Sequence, residues 1–331
     1  MSMNGDMDNM RKYGIKTSQI NNLMLKTSQK KKARYFIPVF LSAGIIIYTL
    51  FLVIPILDSI KLSFYDSEGL YTTDFVGLGN YIKLFTEFPY KDRFFNALSN
   101  TIKFFLMVTL IQNVCGFLVA VLVTRKFKGN TIIRRLSFLP TTLSVLVVGF
   151  LFKLILNPTW GVFDRVLEGI GLGFLIKPWL GTTATALPVL AVAISWQWIG
   201  EAILFYTAGI DSINEDILEA AKIDGAGILS EIRHIILPSI MPIVGIVTIL
   251  IYIGDFTQFD IVYAMTTTRG NPLYGTDLLG SLFYRVTFQT GERGGWGMGM
   301  GSAVAAVMVV IVFIGVLFYL RIFRMKGAKK E

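Results

Sequence analysis

A single cysteine, Cys115, and a single histidine, His234, serve all 331 residues. One thiol cannot close an intramolecular disulfide, and one imidazole with one thiol argues against a metal site. Charge is also scarce. Asp, Glu, Lys and Arg make up 16% of the chain, against about 25% in soluble domains. The length would allow about two soluble domains, but with 53% hydrophobic residues a soluble reading does not survive. No Gly-x-x-x-x-Gly-Lys-Ser/Thr phosphate loop occurs, and the glycine-rich Gly291–Gly301 stretch lacks a Lys-Ser or Lys-Thr end. The chain therefore carries no motif of its own for nucleotide hydrolysis.

What it has is long apolar runs. About 20 consecutive apolar residues span a hydrocarbon core, and six such runs occur, at 36–57, 104–124, 137–156, 186–210, 240–264 and 302–320. Lipid offers backbone N–H and C=O groups no outside partner, so the runs are expected to be helices. A barrel would need shorter, strictly alternating segments, whereas Val145–Phe152 and Ala303–Phe318 are apolar on every face. Pro38, Pro55, Pro188 and Pro242 fall at or near the ends of these runs. The fold class is thus an all-α integral membrane protein with six transmembrane helices.

Positive charge sets the orientation. With the N-terminus inside, the inner segments hold 20 Lys/Arg and the outer ones 9. Lys103 and Lys153 lie near outer helix ends, where they can snorkel. The net charge of +9 is then topogenic charge facing anionic lipid, not a sign of nucleic acid. Residues 1–35 form a polar cytoplasmic tail, and no small-residue cleavage site follows the first run to mark a signal peptide. The membrane domain covers 36–324, and 325–331 is a cytoplasmic C-terminal tail. The outer segment 58–99 is rich in aromatics, which suits either a small folded element on the membrane face or an interfacial aromatic belt.

The inner loop 211–238 carries the most local information. Ser212 followed by Glu215 reads as a capping box that starts a helix, with Glu215, Asp216 and Glu219 favoured in its first turns by the macrodipole. Asp224-Gly225 stops that helix, since glycine takes the left-handed conformation cheaply. A second short helix over 227–235 follows, and Leu237-Pro238 is expected to break it before the fifth span. The result is a helix-turn-helix with small residues at its corner, serving either as a docking surface or as a plain connector.

The string Glu219-Ala220-Ala221, Asp224-Gly225-Ala226, Ile235, Leu237-Pro238 and Pro242 resembles the EAA loop of permease subunits in binding-protein-dependent ABC importers. Phe95–Thr101, Phe138-Leu139-Pro140, Leu156-Asn157-Pro158 and Thr268–Pro272 are similar to the maltose/glycerol-phosphate type of carbohydrate permease, and the likeness runs from about Phe36 to Arg324. Two departures stand out. Ile232 occupies a position that is often aromatic, and the loop after the fifth span lacks a double glycine before its proline. The resemblance implies that Glu219, Ala220, Ala221, Asp224, Gly225, Ala226, Leu237 and Pro238 couple this chain to a separate ATPase. It also implies the partners: a second homologous permease as a heterodimer, two copies of the ATP-binding subunit holding ATP and Mg, and an extracytoplasmic solute-binding protein. No cofactor is expected on this chain, and the bacterial cytoplasmic membrane is the expected location.

Polar residues inside the spans face a bundle interior or a wet cavity. Gln112 and Asn113 in the second run, Trp198 and Glu201 in the fourth, and Tyr252, Asp255 and Gln258 in the fifth are candidates for a carbohydrate path. Carboxylates and amides bind sugar hydroxyls, and aromatic faces stack on sugar C–H surfaces. Gln197 and Glu201 lie one turn apart, as do Thr248, Tyr252, Asp255 and Gln258 in succession. Interhelical hydrogen bonds would explain the same residues. A permease for another solute, such as a phosphodiester or peptide, is one alternative. A stand-alone ion-coupled transporter is a second, although no internal repeat appears and the EAA-like loop would be unexplained. A lipid-directed enzyme is a third, but it needs an acid–base cluster, and His234 reads as a solvated or packing residue.

Overall fold

The computed structural model describes residues 41–68, 71–125, 129–289 and 296–327. The expected tail 1–35, the first five residues of the first run and residues 328–331 lie outside these, as do residues 290–295 of the glycine-rich stretch. Five described helices are long and apolar enough to cross a membrane, and a bent helix pair brings the number to six if it counts as one span. The only described strands are a short antiparallel hairpin.

The first helix, α1 (Leu41–Leu62), makes up the described part of a unit ending at Ser59; a second unit begins at Ile60. Within α1 a π turn over Thr49–Val53 precedes Pro55. A proline clashes with the carbonyl four residues back, here Phe51, and the wide turn takes up the misfit.

The second unit opens on the hairpin of β1 (Tyr65–Glu68) and β2 (Tyr71–Phe75), with Tyr65 opposite Phe75 and an irregularity after Tyr65. Helix α2 (Gly79–Thr86) follows, and its buried Asn80 donates to the carbonyls of Ser63 and Tyr65. A folded element is therefore present within 58–99, and several of its aromatics, Tyr71, Phe75 and Phe88, are exposed. Helix α3 runs from Tyr90 to Thr124, starting well before the expected 104 because its first turns pack on α2. Helix α7 (Thr183–Asp211) shares the most extensive interface with α3.

The expected span 137–156 is not one helix. Helix α4 (Asn130–Phe138) tightens into a 3-10 turn at Leu139–Thr142, and α5 (Val145–Ile155) leaves at 100°. Pro140 lacks an N–H, and Leu143 and Ser144 are extended. Thr141 and Thr142 hydroxyls donate back to the carbonyls of Phe138 and Leu139. Gln197 reaches across from α7 and donates to the Leu143 carbonyl at 2.9 Å. Gln197 is thus fully buried in packing and not paired with Glu201 along a path. Gly200, one turn further along α7, lies so close to the bend that a Cβ there would sit 2.8 Å from the Phe138 Cα.

A short helix α6 (Val162–Gly169) lies in the connection before α7. After α7 come α8 (Glu215–Ile223) and α9 (Ile228–Phe256). The break expected at Leu237-Pro238 does not occur. A π turn over Ile232–Ile236 precedes Pro238 as the one in α1 precedes Pro55, so α9 continues and Pro242 lies inside it. Nor does Ser212 cap α8. It belongs to the end of α7, donating to Gly209, and Asn214 is the cap, accepting from the Asp216 N–H. The expected span 240–264 ends early, at Phe256. A separate helix α10 (Asp260–Thr266) packs on α5. Helices α11 (Leu279–Phe288) and α12 (Gly297–Gly327) complete the unit.

The loop between α10 and α11 is clamped. Arg285 donates to both carboxylate oxygens of Asp277, at 3.0 and 2.6 Å, and to the Thr268 carbonyl. Ser281 donates to the same carboxylate. Asn96 and Asn100 on α3 both donate to the Tyr274 carbonyl, and the Arg93 guanidinium sits 3.2 Å from the Tyr274 ring centroid. Burial pushes the Asp277 carboxyl above its usual range, and Arg285 and Ser281 pull it back.

Two stability outcomes follow from these contacts. Arg285→Met leaves a buried carboxyl unpaired and is expected to cost about 3–5 kcal/mol, read as a lower Tm of the detergent-purified chain. Gly200→Val is expected to cost about 1–3 kcal/mol by overpacking in the same assay. Gly169→Ala, where a Cβ meets nothing within 4 Å, serves as the neutral comparison.

Candidate functional site

Two regions answer to the candidate residues, one at each end of α9. The first is the corner between α8 and α9. The Ala226 N–H bonds to the Ala221 carbonyl and the Gly225 N–H to the Lys222 carbonyl, with Gly225 at φ +78°. This is a Schellman ending, which glycine adopts without the strain an L side chain would meet. Among the described residues, none beyond the chain neighbours lies within 4 Å of a Cβ built at Gly225 or Gly227. Apolar side chains flank this bare corner: Ile223 is 87% exposed and Leu229 78%. Glu219, Ala220, Asp224 and Gly225 are exposed, while Ala221, Ala226, Leu237 and Pro238 are half-buried. Leu237 and Pro238 stand inside α9, one α turn and one π turn from the corner, and are not part of the turn itself.

Behind the corner lies a groove of about 640 Å³ lined in part by Arg125, Glu219, Lys222 and Glu231. Two ion pairs hold its walls, Arg125–Glu231 at 3.7 Å and Arg134–Asp211 at 3.3 Å. Both include exposed side chains, so each contributes little stability alone; the first joins the end of α3 to α9 near the corner, and the second joins α4 to the end of α7. His234 is exposed, with Nδ1 3.0 Å from the Ser230 carbonyl and 3.3 Å from its hydroxyl.

The second region is a cavity of about 350 Å³ between α3, α7 and α9. Gln112, Trp198, Glu201, Asp255 and Gln258 all line it, joined by Asp260. Asp255 is 5% exposed. Its Oδ2 and the Gln258 Nε2 are buried and have no hydrogen-bond partner among the described residues. Leaving such groups unmet costs about 1–3 kcal/mol each. The position follows from the chain: α9 ends at Phe256, Thr257 folds its hydroxyl back onto the Ile253 carbonyl, and Gln258 is carried one turn beyond Asp255.

The other two path candidates are not in this cavity. Asn113 donates to Thr248 and accepts from the Tyr206 hydroxyl at 2.6 Å. Tyr252 donates to the Ile311 carbonyl and packs among Phe105, Phe256 and Tyr319. Both join helices. The regular one-turn spacing of Thr248, Tyr252, Asp255 and Gln258 could not separate those that turn to a neighbour from those that turn to the cavity. Asp260 is a charge near the end of the 240–264 run, and its place in the wall depends on the break after Phe256.

The comparisons with known proteins agree with this architecture. A family profile described as binding-protein-dependent transport system inner membrane component matches residues 112–325. The lactose transport system permease protein LacF of Rhizobium radiobacter is 31% identical, over 80% of this chain and 89% of its own length. The multiple sugar-binding transport system permease protein MsmF of Streptococcus mutans is 31% identical, over 81% and 90%. Among solved structures, a bacterial ABC transporter involved in import of the acidic polysaccharide alginate superposes with a TM-score of 0.76 at 22% identity, covering 91% of this chain and 99% of that one. A second structure, of a bacterial alginate ABC transporter in complex with its alginate pentasaccharide-bound periplasmic protein, gives 0.75 at 22% identity, covering 90% and 96%. These two carry the fold alone. With a family profile over more than half its length, the chain belongs to the binding-protein-dependent transport system inner membrane component family.

Proposed function

We propose that the chain is the transmembrane permease subunit of a bacterial ABC importer that moves a carbohydrate inward. The α8–α9 corner then faces the cytoplasm with both termini, and the hairpin end faces outward. The inner loop 211–238 is the coupling segment, in which Glu219, Ala220, Ala221, Asp224, Gly225 and Ala226 meet a separate ATPase and Leu237 and Pro238 support them from α9. Two copies of that subunit hold ATP and Mg. A second, homologous permease completes the pathway as a heterodimer, and an extracytoplasmic binding protein delivers the sugar. Names given to relatives, lactose and multiple sugars among them, support the substrate class. The periplasmic protein in one related complex supports the delivery partner.

The observation that carries this reading is the corner itself. A left-handed glycine, space for another surface to approach the backbone, and exposed Ile223 and Leu229 make a knob that no other described residue covers. Large apolar side chains exposed together at a turn mark a contact with another protein. Helix α9 runs without a break from this corner to Asp255. Its 29 residues span about 40 Å at 1.5 Å per residue. A push at the corner is therefore delivered along one element to the cavity wall, and Arg125–Glu231 links the end of α3 to that element.

Gly225→Asp places a side chain where φ is positive and adds charge to the knob. In the reconstituted complex, binding-protein-stimulated ATP hydrolysis and uptake are expected to fall together by about 5- to 150-fold, the range of typical coupling energies, with the subunits still assembled. Unchanged ATP-driven uptake makes the corner a connector only. Uptake by this chain without an ATPase contradicts the importer reading.

A further inference from the structure

A third surface lies away from both the corner and the cavity, on the short helix α6. Its side chains divide into three sides. Val162, Val166 and the capping Ile170 recur every fourth residue and so share one side. They are 62%, 52% and 63% exposed. Leu167 is the buried residue of the helix, and Asp164, Arg165 and Glu168 take the remaining side. Trp160 just before the helix and Phe174 just after it are exposed as well. An apolar side set against a charged one is the pattern of a helix that lies in the plane of a membrane interface.

The path of the chain puts α6 at that level. It lies in the connection 156–182, between α5, half of the bent pair, and α7, a full span. Its start is pinned to the end of α5. The Gly161 N–H donates to the Asn157 carbonyl at 2.8 Å, and a Cβ at Gly161 would collide with the Ile155 and Asn157 carbonyls. Its charged side is tied to the approach to α7. Trp179 Nε1 donates to Asp164 at 2.8 Å, and the Phe163 ring meets the Trp179 ring edge-on. Helix α6 is thus held beside the ends of two membrane helices. Helix α5 exposes an apolar stripe of its own, Val147, Leu151 and Ile155, which ends where the connection begins. The residue types around α6 are those of a headgroup layer. Lys177 stands 5.5 Å from the Trp179 ring centroid, and Lys153, Arg165 and Lys177 are exposed. Tryptophan concentrates where hydrocarbon gives way to headgroups, and lysine reaches from there into the polar layer.

We infer that α6 lies in the outer membrane interface, with Val162, Val166 and Ile170 among the lipid chains and Arg165 and Glu168 at the headgroups. The partner of this surface is the outer leaflet, and the contact ties the outer ends of α5 and α7 to the bilayer surface. The inference rests on the outward orientation proposed above and not on the identity of the solute.

The test uses the assembled importer in a Cys115→Ser background, reconstituted in vesicles of phosphatidylethanolamine and phosphatidylglycerol. A nitroxide is attached at Val166→Cys, Ile170→Cys or Glu168→Cys in turn. Its collisions with oxygen, which concentrates in lipid, and with a water-soluble nickel chelate are measured with and without the binding protein. Labels at 166 and 170 are expected to meet oxygen and to read about 5–10 Å inside the headgroup boundary, unchanged by the binding protein. The label at 168 is expected to meet the nickel chelate. Equal access of the chelate to all three positions places the face in water and overturns the inference. Shielding of 166 and 170 from both reagents means that a protein covers the face, and overturns it too; shielding that appears only with the binding protein names that subunit as the cover. Orientation is read separately, by a membrane-impermeant maleimide on Glu168→Cys in protoplasts, where labelling from outside is expected. Labelling confined to inverted vesicles overturns the outward orientation and the assignment to the outer leaflet, even where 166 and 170 read as embedded in lipid.

Discussion

Inside a bilayer no water waits to meet a freed carbonyl, so each break in a helix must be answered by another group of the same protein. That constraint organises this fold more than any single packing contact. At the 100° bend between α4 and α5 the answer comes from Thr141, Thr142 and Gln197. After Phe256 it comes from Thr257. In the α10–α11 loop, Asn96, Asn100 and Arg285 meet the carbonyls of Tyr274 and Thr268. Where a proline threatens a helix that must continue, a π turn placed just before it keeps the helix whole, once in α1 and once in α9.

Against that economy a few buried polar atoms go unmet, Thr109 Oγ1, Ser195 Oγ and Gln197 Oε1 among them, and the exception at the cavity is a pair, Asp255 Oδ2 and Gln258 Nε2. Unmet polar groups in such a place hold free energy that a ligand can release. The break after Phe256 creates the exception, because it ends α9 just where Asp255 and Gln258 can turn inward.

Much of this was legible in the sequence. The apolar runs marked the membrane helices, and the Ala-Ala and Asp-Gly-Ala strings marked the corner at the right residues. What the runs could not show was where an apolar stretch changes direction. Residues 137–156 and 240–264 are as apolar as a single span requires, yet Pro140 with the extended Leu143 and Ser144 divides one, and the stop at Phe256 shortens the other. Conversely, Leu237-Pro238 looked like a stop, because proline's local cost was visible and the compensating π turn was not. Polar residues at one-turn spacing were equally ambiguous. Asn113 and Tyr252 spend their hydrogen bonds on neighbouring helices and Asp255 does not, a difference set by which helix lies opposite.

The continuity of α9 joins the two ends of the account. The corner at its start is left open by the described residues, and the cavity carboxyl stands near its end, so on the proposed reading a partner seated at the corner moves the cavity wall. The most direct measurement places a cysteine at Ala221 in a Cys115→Ser background and treats the assembled importer with a short bifunctional cross-linker. Cross-linking to the ATP-binding subunit, changing in yield with bound nucleotide, is the predicted result. Cross-linking to the binding protein instead, or to no subunit while ATP-driven uptake continues, would contradict it.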